Sequence, residues 1–140
     1  MDKSSKRLTI YVDGASRGNP GPAAIGVVIR DESGSTAVRL SSYIGNTTNN
    51  QAEYAALITA LEEAKKLEAE HVDIRTDSQL MAEQIRGNYR VRNANLRPLF
   101  EQAKESLADF KSYAIVYVPR ERNNEADALA NEALDKLKNA

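Results

Sequence analysis

Cysteine and tryptophan are both absent from this chain of 140 residues, and histidine occurs once, at position 71. Without cysteine there are no disulfides and no thiolate metal sites, which permits a reducing interior. Nowhere does a run approach the roughly 18 apolar residues of a membrane span. The opening MDKSSKRLT has no apolar core of the kind a signal peptide carries, so the expected location is cytoplasmic. Charge of one sign is also lacking: 19 Lys and Arg stand against 20 Asp and Glu, for a net −1. A strongly basic nucleic-acid binder is thus excluded by the totals, and any polyanionic partner must be met by a local patch or by bound cations. The remaining composition, 41% hydrophobic and 28% charged, is that of an ordinary globular protein. The length implies one domain over residues 1–140, with 1–6 flexible, able to bury roughly two-thirds of its unfolded surface.

Leu8, Ile10 and Val12 alternate with Thr9, Tyr11 and Asp13, which is the period of a half-buried strand ending at Asp13. The following stretch to Pro22 is dense in glycine and proline and reads as a tight turn. Ala23 to Arg30 and Thr36 to Ile44 read as two more strands joined by a hairpin, which makes an antiparallel meander. A polar loop, Gly45 to Asn50, leads to a capping box at Thr48 and Gln51 and a helix to about Leu67. Val72 to Thr76 is a fourth strand. A short helix from Gln79 to Arg86 stops at Gly87, and a loop runs to Ala94. Leu96, Leu99, Phe100, Ala103, Leu107 and Phe110 keep helical spacing, Ala114 to Val118 is a fifth strand, and the last helix opens near Asn123 or Asn124. The order β-β-β-α-β-α-α-β-α predicts an α/β fold with a mixed five-stranded sheet, three antiparallel strands plus parallel additions, flanked by helices.

Four acids fall where strands stop or helices begin: Asp13, Glu53, Asp77 and Asp127. Glu53 shares the stripe of Leu57, Ala60 and Leu61 that should face the core, a costly place for a charge without a partner. Taken singly, each has a plain structural explanation. Asp13 is a turn former, Asp77-Ser78 a helix cap, Asp127 a helix-dipole partner and Glu53 a rim residue. Taken together they offer oxygen ligands of the kind Mg²⁺ or Mn²⁺ prefers. Two such ions about 3.5 to 4 Å apart activate a water and stabilise the leaving oxygen of a phosphodiester.

Four blocks, YVDGASRGNPG from Tyr11, TNNQAE from Thr48, TDSQ from Thr76 and NNEADALA from Asn123, resemble ribonuclease H of type 1 in order and spacing over essentially the whole chain. The resemblance implies a ribonuclease H-like fold and an endonuclease that hydrolyses the RNA strand of an RNA/DNA hybrid, leaving 5′-phosphate and 3′-hydroxyl ends. It implies that Asp13, Glu53, Asp77 and Asp127 hold two Mg²⁺ ions, with Mn²⁺ as substitute. It also implies substrate contacts at Gly14, Ala15, Ser16, Asn19, Thr48, Asn49, Asn50, Gln79 and Asn123. Small polar groups of this kind suit a shallow minor groove in which 2′-hydroxyls must be detected.

The chain departs from that pattern in three places. The basic, tryptophan-bearing protrusion of many members is reduced to Gly87–Asn95, so hybrid binding should be weaker and more salt-sensitive. The usual basic neighbour of Thr48 is replaced by Asn46, which should weaken the phosphate seat there. The usual histidine loop reads Pro119 to Asn124, and Arg120, with Arg122 second, is expected to serve electrostatically in place of the imidazole. His71 lies apart from all four blocks. The expected molecule is a monomer without a membrane partner. The competing readings are a broader nuclease that also cuts double-stranded RNA, a non-catalytic hybrid-binding module, and a structural domain with coincidental acids.

Overall fold

The computed structural model describes residues 6–138. Its elements are β1 (Arg7–Ser16), β2 (Gly21–Arg30), β3 (Thr36–Thr47), α1 (Asn49–Lys66), β4 (His71–Thr76), α2 (Gln79–Ile85), α3 (Arg97–Leu107), β5 (Ser112–Tyr117) and α4 (Asn124–Lys138), with a 3₁₀ turn at Arg120–Arg122. The sheet order is β3-β2-β1-β4-β5. β1, β2 and β3 form the antiparallel meander, and β4 and β5 add to it in parallel. The element order and mixed sheet match the sequence reading.

Alternation along β1 sends Leu8, Ile10 and Val12 to one face, where they join Ile25, Val27 and Ile29 of β2 and Val72 and Ile74 of β4. α1 covers this face. Its fully buried Ala52, Ala56, Ala60 and Ala64 keep the helix close to the strands, while Leu57 and Leu61 fill the space beside them. Burying each such leucine contributes about 1.5–3 kcal/mol. Tyr54 reaches α3 and meets Phe100 edge to face at 6.4 Å. α4 covers the opposite face over β2, with Ala126 so near Gly26 that a Cβ there would lie 1.9 Å from the Ala126 carbonyl oxygen.

Several boundaries differ from the sequence reading. β1 does not end at Asp13 but runs on to Ser16, paired with β2 through Ala23. Gly14 marks close approach rather than a break: a Cβ at this position would lie 2.2 Å from the Ala52 carbonyl carbon. β3 likewise continues to Thr47, through what looked like a polar loop, because β2 supplies backbone partners as far as Gly21. β5 starts two residues earlier than expected and stops at Tyr117, its register set by β4. α3 ends at Leu107, and Phe110 is buried from the turn beyond it. Of the segment expected to be flexible, residues 1–5 lie outside the described residues. Lys6 is tied down, its carbonyl accepting from the Glu70 and His71 amides.

Candidate metal and active site

Register brings the first two acids together. Val12 of β1 pairs with Thr76 of β4 in parallel, so Asp13 and Asp77, next on each chain, emerge side by side. Ser78 takes the capping duty, its Oγ accepting from the Met81 amide at 3.1 Å, which leaves Asp77 free of that role. The third acid arrives on α1. Thr48 caps this helix and Gln51 closes the capping box, as the sequence predicted. Glu53 then points at the sheet, where its Oε1 accepts from the Gly14 amide at 2.8 Å. The close approach that requires glycine at position 14 also positions this carboxylate. The fourth acid is steered by Asn123, whose Nδ2 donates to the Val12 carbonyl at 2.8 Å and fixes the start of α4 against β1.

One carboxylate oxygen from each of Asp13, Glu53 and Asp77 lies within 4.8 Å of the others. Asp127 stands outside that triple, and its charge adds to the repulsion on Asp13. Burial, followed by repulsion from Glu53, Asp77 and Asp127, pushes the Asp13 carboxyl up to about 10. Burial and the Asp77 charge push Glu53 up to about 8, against the opposing pull of the Gly14 amide and Arg120. Asp77 Oδ2 is buried without a hydrogen-bond donor. Its one ion-pair partner among the described residues is Arg120, whose Nε stands 3.7 Å away, beyond hydrogen-bond range. Hard oxygen donors on separate elements, one of them orphaned and two disfavoured as bare anions, fit a divalent cation such as Mg²⁺ or Mn²⁺.

The remaining predicted residues divide into two groups. Asn19, Thr48 and Asn50 line a cleft of about 330 Å³ with Arg90, Arg92, Asn93 and Asn95 of the loop after α2. Arg90 and Arg92 thus bring positive charge to the cleft that Thr48 lines. Asn49 joins the turn to α1, donating from its amide to Asn19 Oδ1 at 3.1 Å and accepting from the Ser16 amide at 3.3 Å. Gln79 is exposed at the start of α2, and Ala15 is half-buried. Three further residues of that set have partners within the chain. Ser16 Oγ is engaged by the Thr47 carbonyl at 2.8 Å. The Gly14 amide is spent on Glu53. Asn123 is 1% exposed and positions the start of α4.

Arg122, unlike Arg120, lines a groove with Tyr11 and Arg30. His71 is at the opposite end of β4, with Nδ1 2.7 Å from Ser112 Oγ. Sequence reasoning missed Gln84. This buried glutamine accepts from the Tyr54 hydroxyl at 2.8 Å and lines the cleft. The signal for it was a polar residue on the apolar stripe of Met81, Ala82 and Ile85.

Fold and site together define a ribonuclease H-like α/β domain. The chain belongs to the Reverse transcriptase-like family, which matches residues 11–133, within the type 1 ribonuclease H group. It is 47% identical over 129 residues to Ribonuclease HI of Halobacterium salinarum, covering 92% of this chain and 65% of that protein. It is 42% identical over 130 residues to a bifunctional protein of Mycobacterium tuberculosis, covering 92% of this chain and 36% of that one. The chain therefore spans about two-thirds or less of these relatives. Among solved structures, LC11-RNase H1 in complex with an RNA/DNA hybrid superposes with a TM-score of 0.88 at 44% identity, covering 93% of this chain and 98% of that one.

Proposed function

We propose that this chain is a metal-dependent endoribonuclease that hydrolyses the RNA strand of RNA/DNA hybrids to 5′-phosphate and 3′-hydroxyl ends. The observation that carries the reading is the convergence of Asp13, Glu53 and Asp77 within 4.8 Å, with Asp77 Oδ2 orphaned. The hybrid held by LC11-RNase H1 supports the substrate class. Asp13, Glu53, Asp77 and Asp127 are the residues that would hold two Mg²⁺ ions, or Mn²⁺ in their place. Bound there, such ions supply Lewis acidity, lowering the pKa of a water nucleophile and neutralising charge on the departing 3′ oxygen.

The chain's own groups prepare the chemistry. The Gly14 amide orients Glu53, and Asn123 holds α4 so that Asp127 faces Asp13. Arg120, with a side chain 77% exposed, is free to meet a phosphate on the open side of Asp77. Asn19, Thr48, Asn50, Arg90 and Arg92 form a cleft suited to the uncut strand's backbone, where amide and guanidinium N–H groups donate to phosphate oxygens.

The test is cleavage of end-labelled RNA/DNA hybrid, double-stranded RNA and single-stranded RNA, each with Mg²⁺, Mn²⁺ or chelator. The expected result is hybrid cut only when metal is present. Hybrid bound but uncut under every condition would overturn the enzyme reading in favour of a binding module. Equal cutting of double-stranded RNA would replace the hybrid-specific reading with a broader one.

A further inference from the structure

Resting on that reading, we propose that the exposed edge of β5 is a track for single-stranded nucleic acid leading away from the carboxylate centre. Bases would stack on Tyr113 and Tyr117, with Arg86 and Lys104 meeting the phosphates between and beside them. β5 is an edge strand on which Ile115 alone is buried. Tyr113 and Tyr117 are 38% and 46% exposed. Four residues apart, they project to the same side of the strand and stand about 13 Å apart. That separation is too long for neighbouring bases stacked at about 3.4 Å and suits two bases of an extended, unstacked strand.

The cations are fixed in register with the rings. Arg86, at the end of α2, donates from Nε to the Ile115 carbonyl at 2.9 Å, which anchors it at the strand position midway in sequence between the two tyrosines. Lys104 of α3 lies with Nζ 3.3 Å from the Tyr113 hydroxyl and 5.9 Å from the ring centroid. Glu83 approaches Arg86 at 3.5 Å and moderates its charge without closing off the guanidinium, whose side chain stays 44% exposed. Edge protection explains an arginine bonded to a free carbonyl, but not exposed rings on either side of it. Aromatic faces interleaved with cations are the chemistry that holds single strands irrespective of sequence.

Position supplies the direction of the track. Tyr117 is the register partner of Thr76, whose carbonyl accepts from the Val118 amide at 2.8 Å, and Asp77 is the next residue. A strand leaving the acids across β4 meets Tyr117 first and Tyr113 second. An overhang flanking the paired substrate is the occupant that this continuity with the cleavage site favours.

Fluorescence anisotropy in chelator tests the proposal on the whole chain, using a blunt RNA/DNA hybrid and the same hybrid with an RNA or a DNA overhang. The wild type should bind an overhang hybrid about tenfold more tightly than the blunt one. Tyr113→Ala/Tyr117→Ala should abolish that difference, and Tyr113→Phe/Tyr117→Phe should keep it. Circular dichroism melting checks the fold, and Tyr113→Leu/Tyr117→Leu serves if the alanine pair unfolds. No overhang advantage in the wild type, or an advantage that survives loss of both rings, overturns the proposal. An advantage for one overhang type alone supports it and identifies the strand. Cleavage of the blunt hybrid with Mg²⁺ reports separately on the ribonuclease reading.

Discussion

β1 and β4 lie parallel, yet their two ends treat charge in opposite ways. At the amino ends Arg7 pairs with Asp73 at 3.1 Å, and nearby Lys111 pairs with Glu70 at 3.0 Å. Each of these acids has its cation, and the groups remain partly in water. At the carboxyl ends Asp13, Glu53 and Asp77 crowd within 4.8 Å, and Arg120, 3.7 Å from Asp77, is their only ion-pair partner among the described residues. A sheet that merely needed to be stable would be built like the first end. The second concentrates like charges in a low-dielectric setting, which costs stability unless a cation compensates, and such perturbed clusters mark functional sites.

The strongest way to break this contrast is to neutralise one member of the cluster. Asp13→Asn should lower hybrid cleavage about a thousandfold or more, since a lost metal ligand removes several kcal/mol of transition-state stabilisation. The same substitution should raise the melting temperature of the metal-free protein, because it relieves repulsion at a buried site. Full activity in that variant would defeat the mechanism.

A second experiment varies pH without mutation. Unfolded, the two carboxyls titrate near 3.8 and 4.5, whereas folding raises Asp13 to about 10 and Glu53 to about 8. Between those limits the folded chain holds the extra protons. Metal-free stability should therefore be full below about pH 4 and fall as pH rises through 8 towards 10. Mg²⁺ should raise the melting temperature at pH 8 and change it little at pH 5, where protons occupy the site. A metal-free protein that gains stability over this range would show that the cluster does not hold its protons.

Smaller effects sharpen the comparison. Arg120→Ala should reduce turnover about tenfold, through loss of one exposed electrostatic contact, while Arg122→Ala, facing the Tyr11 groove, should keep it. Equal turnover in both variants and the wild type would remove Arg120 from the site. At the paired end, Arg7→Ala should shift stability by no more than about 0.5 kcal/mol, as expected for an ion pair half in water. A chemical denaturation curve measures it, and a loss of several kcal/mol would erase the distinction between the two ends.

Much of this was legible before folding. Alternation located the strands, and Thr48 with Gln51 announced the start of α1 through local chemistry alone. Glu53 on an apolar stripe correctly signalled a buried acid. Gly14 was misread because a glycine after a strand looks the same whether it ends the strand or admits a helix. Only the position of Ala52 distinguishes the two. Tyr117 carried no local signal at all, since a tyrosine in a strand is ordinary until its neighbours leave it uncovered.

The sequence by itself determined the order of elements, the helix caps and which acids stand at element ends, because each depends on contacts within a few residues. Tertiary structure alone decided that Asp13 and Asp77 emerge side by side, that Gly14 directs Glu53 and that Arg90 and Arg92 turn towards Thr48. Those outcomes depend on strand register and helix approach, which arise from pairings between residues far apart in the chain.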